Sequence, residues 1–444
     1  MDILDKKSWI NHLMSFTLNI FKKSLMAVQS SSFLNKTISI IENKKIRIGS
    51  DLILENKKIK FISFGKAGGS MAEAFLDIMG YNNIDEGIIV TPEDSKKPNI
   101  NNPNVEVIYS THPQVSEKSV IAGHKILKFA ERCTVDDIVF CLISGGGSAL
   151  IASPINGIDV NEKIDLINNL LKMGIGEREV NIIRKKLSEI KGGSLAQKIY
   201  PAQIVNLILS DERDHQLEAI ASGPTVINQS NITAEQIINT EKLWRVISKE
   251  MHSVFRDNSM SVDKPYPQID SYIVGSRELL LQRMKDVADE NEVKNIKVIE
   301  EFYDHDIINL KNELSSHYSK YYKKSEKGKY LIVASGEVPI KLSLNHGKGG
   351  RNQHLAALMI KELKKYINFE FLAISSDGCD YLNGVHGALI TNKHIEKIYS
   401  ESINIDYYIN NFNTNELHDK IGSLIKGPMT GTNVNDFYLF YFEK

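Results

Sequence analysis

The chain has 444 residues, of which 42% are hydrophobic and 25% charged, and its formal net charge is −1. Such a length allows roughly two or three domains of about 150 residues, each burying its own core, and the balanced composition excludes disordered and fibrous classes. A net charge this close to zero excludes a protein that works by bulk attraction to nucleic acid or to an anionic membrane.

In chain order, the uncharged stretch Ser8–Phe21 comes first. It is shorter than a membrane span and carries Asn11, His12, Thr17 and Asn19, so it is expected to form an amphipathic helix with Ile10, Leu13, Met14 and Phe21 on its apolar side. Strands are expected at Ile59–Phe64, Gly87–Val90, Val105–Tyr109, Asp137–Ser144 and Ile204–Ser210, and helices at Ser70–Met79, Glu117–Glu131, Glu162–Lys172 and Glu177–Ile190. The run Ile138-Val139-Phe140-Cys141-Leu142-Ile143 is apolar throughout, as suits a strand buried on both faces of a parallel sheet. A polar connection over Met260–Gln268, with Pro265 and Pro267, marks the expected boundary between domains 1–265 and 266–444. Beyond it, strands are expected at Ser271–Val274, Asn295–Ile299, Tyr330–Ala334, Ile340–Leu344, Phe371–Ser375 and Phe437–Phe442. Strands alternating with helices give two α/β domains. The three cysteines, Cys133, Cys141 and Cys379, have no CxxC spacing, which fits reduced thiols in a cytoplasmic protein.

In open α/β sheets ligands bind beyond the carboxyl ends of the strands, and several such ends here carry unusual turns. Phe64-Gly65-Lys66-Ala67-Gly68-Gly69-Ser70 pairs glycines, which let a ligand approach the backbone, with a lysine. No GxxxxGK[ST] occurs anywhere in the chain, so this is not a Walker A loop; tight packing is the alternative use of its glycines. Ser144-Gly145-Gly146-Gly147-Ser148 brackets successive glycines with hydroxyls and suits a phosphate or carboxylate. A nucleophilic serine is the rival, but G-x-S-x-G is missing. Ser210-Asp211 ends an apolar strand, where a carboxylate can hold Mg²⁺, act as a base or cap a helix. Gly347-Lys348-Gly349-Gly350-Arg351-Asn352-Gln353 is expected to join a hairpin to a helix, with Arg351 suited to a transferring phosphoryl group. Ser376-Asp377-Gly378 and Thr430-Gly431-Thr432-Asn433-Val434-Asn435-Asp436 follow.

Taken in order, FGKAGGSMAEAF, ISGGGSALIASP, RKKLSEIKGGSLA, LSDERD with ASGPTV, GKGGRNQ, SDG and GTNVND resemble the class II glycerate 2-kinases over about Leu4 to Lys444. The resemblance implies an N-terminal Rossmann-like domain with a parallel sheet and flanking helices, followed by a smaller α/β MOFRL-type domain. It implies ATP-dependent phosphorylation of the 2-hydroxyl of D-glycerate to 2-phosphoglycerate, with ATP and Mg²⁺ and a place in carbohydrate metabolism. The family's catalytic lysine falls on Lys66 and its arginine on Arg351, one in each domain, so that they would meet in an interdomain cleft. Asp211 is the third expected catalytic residue and the expected metal ligand. Gly65, Ser144, Gly145, Gly146, Gly147, Ser148, Ser210, Lys348, Asn352, Asp377, Thr432 and Asn433 are the expected binding residues.

The chain departs from the family's pattern at His112-Pro113-Gln114-Val115-Ser116-Glu117, Lys186, Arg213, Ser335, Val338-Pro339 and Asp380-Tyr381. Most of these positions flank ligand loops and bear on the acceptor, so another small 2-hydroxy or sugar acid is the alternative substrate. The family's older label, hydroxypyruvate reductase, supplies an NAD(P)H-dependent alternative, but no GxGxxG turn followed by an acidic residue is present. A ligand-binding protein without turnover is the third class, opposed by the presence of Lys66, Arg351 and Asp211. The expected partners are the hydroxy acid and ATP, without nucleic acid or membrane, and a homodimer is the assembly to test.

Overall fold

The computed structural model describes residues 15–41, 45–50, 52–54, 57–212, 216–226, 232–256, 265–343 and 345–444. The chain forms two compact units, one of Phe33–Val274 and one that combines Gly275–Lys444 with the described residues up to Ser32. Among the described residues no helix is long and apolar enough to cross a membrane.

The first unit is built on strands β1 (Lys58–Phe64), β2 (Glu86–Pro92), β3 (Val105–Ser110), β4 (Asp137–Ser144), β5 (Gln203–Leu209) and β6 (Ile269–Gly275). They form one sheet in the order β3-β2-β1-β4-β5-β6, with β3 through β5 paired in parallel. The expected strands from Ile59 to Ser210 are all present, and β4 is buried along its whole length. Alternation along β1 and β4 serves two covering layers. Phe61 and Phe140 point to helix α1 (Gly68–Met79), where Phe75 packs 5.4 and 4.9 Å from their ring centroids. Ile62, Phe64, Val139 and Cys141 point the other way, into a core shared with Ile126 and Phe129 of α2 (Glu117–Ala130). Ser116 starts α2 at the expected place, its hydroxyl accepting the Lys118 N–H.

Two expectations are corrected here. The strand at Ser271–Val274 opens no second sheet, because β6 hydrogen-bonds beside β5 in the first one. The helix expected over Glu177–Ile190 stops at Lys186; the chain then turns, and Ser188 bridges to Pro154. A small antiparallel sheet of Ile38–Ile40, Ile46–Ile48 and Leu52–Leu54 was not expected.

The second unit contains β7 (Asn295–Tyr303), β8 (Lys329–Gly336), β9 (Phe369–Ser375), β10 (Val385–Thr391), β11 (Leu424–Lys426) and β12 (Asp436–Glu443). Their order is β7-β8-β12-β9-β10-β11, and β7 with β8 is the parallel pair; the other neighbours are antiparallel. The unit is therefore α/β as expected, but its sheet is mixed. No strand forms over 340–343, so the expected hairpin before Gly347 is absent, and Leu344 lies outside the described residues. Strand β10 escaped notice because His386 and Gly387 interrupt its apolar run. Helix α3 (Arg351–Leu363) begins at the expected turn and buries Leu355, Met359 and Ile360.

Of the expected Ser8–Phe21 helix, residues 8–14 lie outside the described set; the described helix is Phe16–Ala27. It joins the second unit, with Phe16 4.5 Å from Tyr441 and Phe21 6.1 Å from Phe437 between ring centroids. Glu370 sits at its N-terminus and accepts hydrogen bonds from Phe16 N, Thr17 N and the hydroxyls of Ser15 and Thr17 at 2.8–3.1 Å. A carboxylate placed so satisfies N–H groups that the helix itself leaves open. Glu370→Ala is expected to destabilise this unit by about 1–2 kcal/mol, read as a lower denaturation midpoint in urea. An unchanged midpoint would mean that packing alone holds the helix.

Candidate active site

The strand order of the first sheet reverses between β1 and β4, and ligands of open α/β sheets bind in the crevice at such a switch point. The loops after these two strands are the glycine turns singled out in the sequence. They are tied together: Lys66 N–H donates to Gly145 O at 2.9 Å, and Ala67 N–H donates to Ser144 Oγ at 3.0 Å. Ser144 is fully buried, so it holds the two turns to each other and lies behind the surface a ligand would meet. Gly65 packs on Ser144 as well, since a Cβ there would lie 2.1 Å from Ser144 Oγ.

Gly146 adopts φ of +80°, a left-handed conformation that side chains rarely take, and a Cβ on it would come within 2.8 Å of His112 Nε2 and 3.1 Å of Lys66 Cγ. Lys66 and His112 therefore flank the middle glycine, and both are half-buried. The Asp211 carboxylate occupies the space over Gly145, where a Cβ would meet its Oδ2 at 1.6 Å. A glycine is obligatory there because the carboxylate already fills the position. The helix expected after Gly147 is a single turn, Gly147–Leu150. Ser148, half-buried on that turn, lies 3.0 Å from Ser222 between hydroxyl oxygens. Ser210 is buried, and its hydroxyl accepts the Glu212 N–H at 3.3 Å. Arg213 of the same motif lies outside the described residues.

A second cluster forms in the other unit. Asp436 opens β12 opposite Gly336 of β8 and Ser375 of β9, so the loops that leave those strands converge on it. Arg351 Nε donates to Asp436 Oδ2, and its Nη2 reaches Asp436 Oδ1 at 3.4 Å and Glu337 Oε1 at 3.0 Å. Two carboxylates thus hold one edge of a guanidinium whose side chain stays 33% exposed. Burial pushes the Asp436 carboxyl up to about 6, an effect that the positive Arg351 opposes.

The N-terminus of α3 is filled by Asp380, whose carboxylate accepts from Asn352 N and Gln353 N at 2.9 Å each. Asn352 is fully buried, with its side-chain amide also on Asp380. Lys348 is exposed, and its backbone is anchored by Asn413 Oδ1 at 3.2 Å. Asp377 Oδ1 accepts from Ser375 Oγ at 2.7 Å and Cys379 N at 2.9 Å, closing the turn after β9. Thr432 and Asn433 are buried in the approach to β12. The expected residues therefore assemble into two groups, one per unit: Lys66, Ser148, Asp211 and the glycines in the first, Arg351 and Asp377 with Thr432 and Asn433 in the second.

Residues 16–256 match the family described as "Domain of unknown function (DUF4147)", and residues 330–436 match the MOFRL family. A glycerate 2-kinase of Sulfurisphaera tokodaii is 31% identical over 86% of this chain and 89% of its own length. The chain belongs to the class II glycerate kinase family. A D-glycerate 2-kinase of Thermotoga maritima is 27% identical over 96% of this chain and 98% of its own. The crystal structure of a Thermotoga maritima glycerate kinase superposes with a TM-score of 0.82 at 24% identity, covering 96% of this chain and 98% of that one.

Within this class II glycerate kinase family member, sequence reasoning missed three residues that the fold brings to the glycine turns: His112, Ser222 and Lys191. His112 heads a segment noted only for its departures, and Ser222 lies in the noted ASGPTV motif. Lys191, from IKGGSLA, donates from Nζ to Ser148 O at 2.9 Å and to Ser148 Oγ.

Proposed function

We propose that this chain is an ATP-dependent kinase that transfers the γ-phosphoryl group to the 2-hydroxyl of D-glycerate, giving 2-phosphoglycerate and ADP. The observation that carries this reading is the placement of Lys66, Asp211 and the Gly145–Gly147 turn together at the switch-point crevice. Kinase relatives matched over nearly the whole chain support it. In the transfer the bond between the γ-phosphorus and the β–γ bridging oxygen breaks as one to the acceptor oxygen forms, and the hydroxyl proton passes to a carboxylate such as Asp211 or to solvent water. Catalysis of such a step is mostly positioning and neutralisation of charge on the phosphoryl oxygens. In the first unit Lys66 is the cation at the glycine turns, and in the second Arg351, oriented by Asp436 and Glu337, is a planar fork suited to phosphoryl oxygens. A cytoplasmic setting is supported by Cys133, Cys141 and Cys379, none of them in a disulfide.

Mg²⁺ is bound in kinases by one or two carboxylates together with the substrate's phosphates. Among the described residues no group of three or more His, Cys, Asp or Glu could hold an ion, whereas the Asp211 carboxylate set over Gly145 suits a shared ion of this kind. Asp211 would hold it, and the ion when bound would screen the charge on the phosphates. Asp211→Asn keeps the shape and removes the charge. It is expected to lower turnover by about 10²-fold or more and raise the Mg²⁺ concentration needed for half-maximal rate. Loss of turnover at an unchanged Mg²⁺ requirement would instead make Asp211 the base for the acceptor hydroxyl. Intact kinetics with a lower melting temperature would make it structural.

The decisive experiment for the whole reading is ADP release across a panel of small hydroxy acids and sugar acids, with the phosphorylated position read by phosphorus NMR. D-Glycerate should give the highest kcat/KM and 2-phosphoglycerate the product. Oxidation of NADH by hydroxypyruvate without ADP release from glycerate would overturn it.

A further inference from the structure

Lys191 is a buried cation, 6% exposed, and both hydrogen bonds of its ammonium go to Ser148. Among the described residues no carboxylate pairs with it. Burial first, and then the nearby cations Lys163, Arg184 and Lys185, press its pKa well below the ordinary lysine value. Lys163 is buried too and donates to Leu187 O at 2.7 Å. Burying positive charge without a counter-charge is costly, and an anion bound nearby would relieve it.

The chain is shaped to put the lysine there. The helix that precedes it stops at Lys186, and the following turn is pinned to the ASGPTV segment by Gly192 N to Ser222 O at 3.0 Å and Gly193 N to Gly223 O at 2.8 Å. Lys191 thereby lies behind Ser148, while Ser148 itself is half-buried at the glycine turn. Because the ammonium donates to Ser148 Oγ, the Ser148 hydroxyl hydrogen is left to donate outward, to Ser222 Oγ or to an oxygen of a ligand.

We propose that Lys191 is a positioning residue for an anion subsite made of Ser148, Ser222 and the Gly145–Gly147 turn: it orients the Ser148 hydroxyl as a donor and supplies the positive charge that a bound carboxylate or phosphate balances. The ligands named below rest on the kinase reading, and either the acceptor's carboxylate or a nucleotide phosphate has the required chemistry.

Lys191→Met keeps most of the length of the side chain and removes its charge. Titrated separately by calorimetry, D-glycerate and a nonhydrolysable ATP analogue distinguish the two sources. The variant should weaken one of them by about tenfold or more, as expected for losing a charge-assisted hydrogen bond, and leave the other near its parental affinity. The ligand that is lost names the anion. Ser148→Ala should show the same selectivity, and it carries the test alone if Lys191→Met does not fold. In Lys191→Ala, added propylammonium should restore binding while propanol of similar size does not, a rescue that a packing role would not show. Parental affinity for both ligands in Lys191→Met and Ser148→Ala, or equal loss of both without ammonium rescue, would overturn the proposal. Parental protein that binds neither ligand would instead overturn the kinase reading, and inorganic phosphate is then the probe for the same comparison.

Discussion

Lys66→Ala is expected to lower kcat by about 10²–10³-fold while leaving the melting temperature close to that of the parent. The backbone at this position is held by the hydrogen bond from Lys66 N–H to Gly145 O, and alanine keeps it. The side chain runs past Gly146 at the switch point, where under the proposed kinase reading its charge would act on the phosphates. Steady-state kinetics and thermal denaturation on the same preparation check both halves. A folded variant with kcat within a few-fold of the parent would reduce Lys66 to a surface cation.

Arg351→Lys should be nearly as damaging although it conserves charge, with about 10²-fold lost from kcat. The guanidinium of Arg351 binds Asp436 and Glu337 through Nε and Nη2 at once, so its plane is fixed before any ligand arrives. An ammonium can pair with one of these carboxylates but cannot hold both and still present a flat edge to two phosphoryl oxygens. Asp436 is fully buried, and with its carboxyl already pushed up to about 6 by burial it depends on the cation to stay charged near neutral pH. The variant's acid limb should therefore move to higher pH, because a less well placed cation holds the Asp436 proton less far down. Activity within a few-fold of the parent, with an unmoved pH profile, would make Arg351 a structural ion pair of the β12 edge.

Much of the first unit is legible in its sequence because the signals are local. A continuous apolar run reads as a strand covered on both faces, and β4 occupies the expected Asp137–Ser144. Glycines clustered after a strand read as a turn at a sheet edge, and both the Gly65 and the Gly145 turns lie there. The second unit is less legible. Its sheet is mixed and antiparallel pairing leaves no separate mark in an apolar run, so the strands expected there carry no direction. Val385–Thr391 and Leu424–Lys426 are not among them, and the one expected over Ile340–Leu344 does not form over 340–343.

What the sequence determined by itself is thus the α/β class, the glycine turns at strand and helix ends, and the placing of Lys66, Asp211 and Arg351 at them as candidates, because periodicity, glycine turns and ordered motifs are written in adjacent residues. What only the tertiary structure decided are the partnerships between distant residues. Lys191 meets Ser148 across 43 positions, Arg351 meets Asp436 across 85, and Glu370 caps a helix that begins 354 positions earlier. Each of these depends on which strands lie side by side and where a helix is forced to stop. Those outcomes are settled by burial and hydrogen-bond satisfaction over the whole unit, and no local stretch of sequence encodes them.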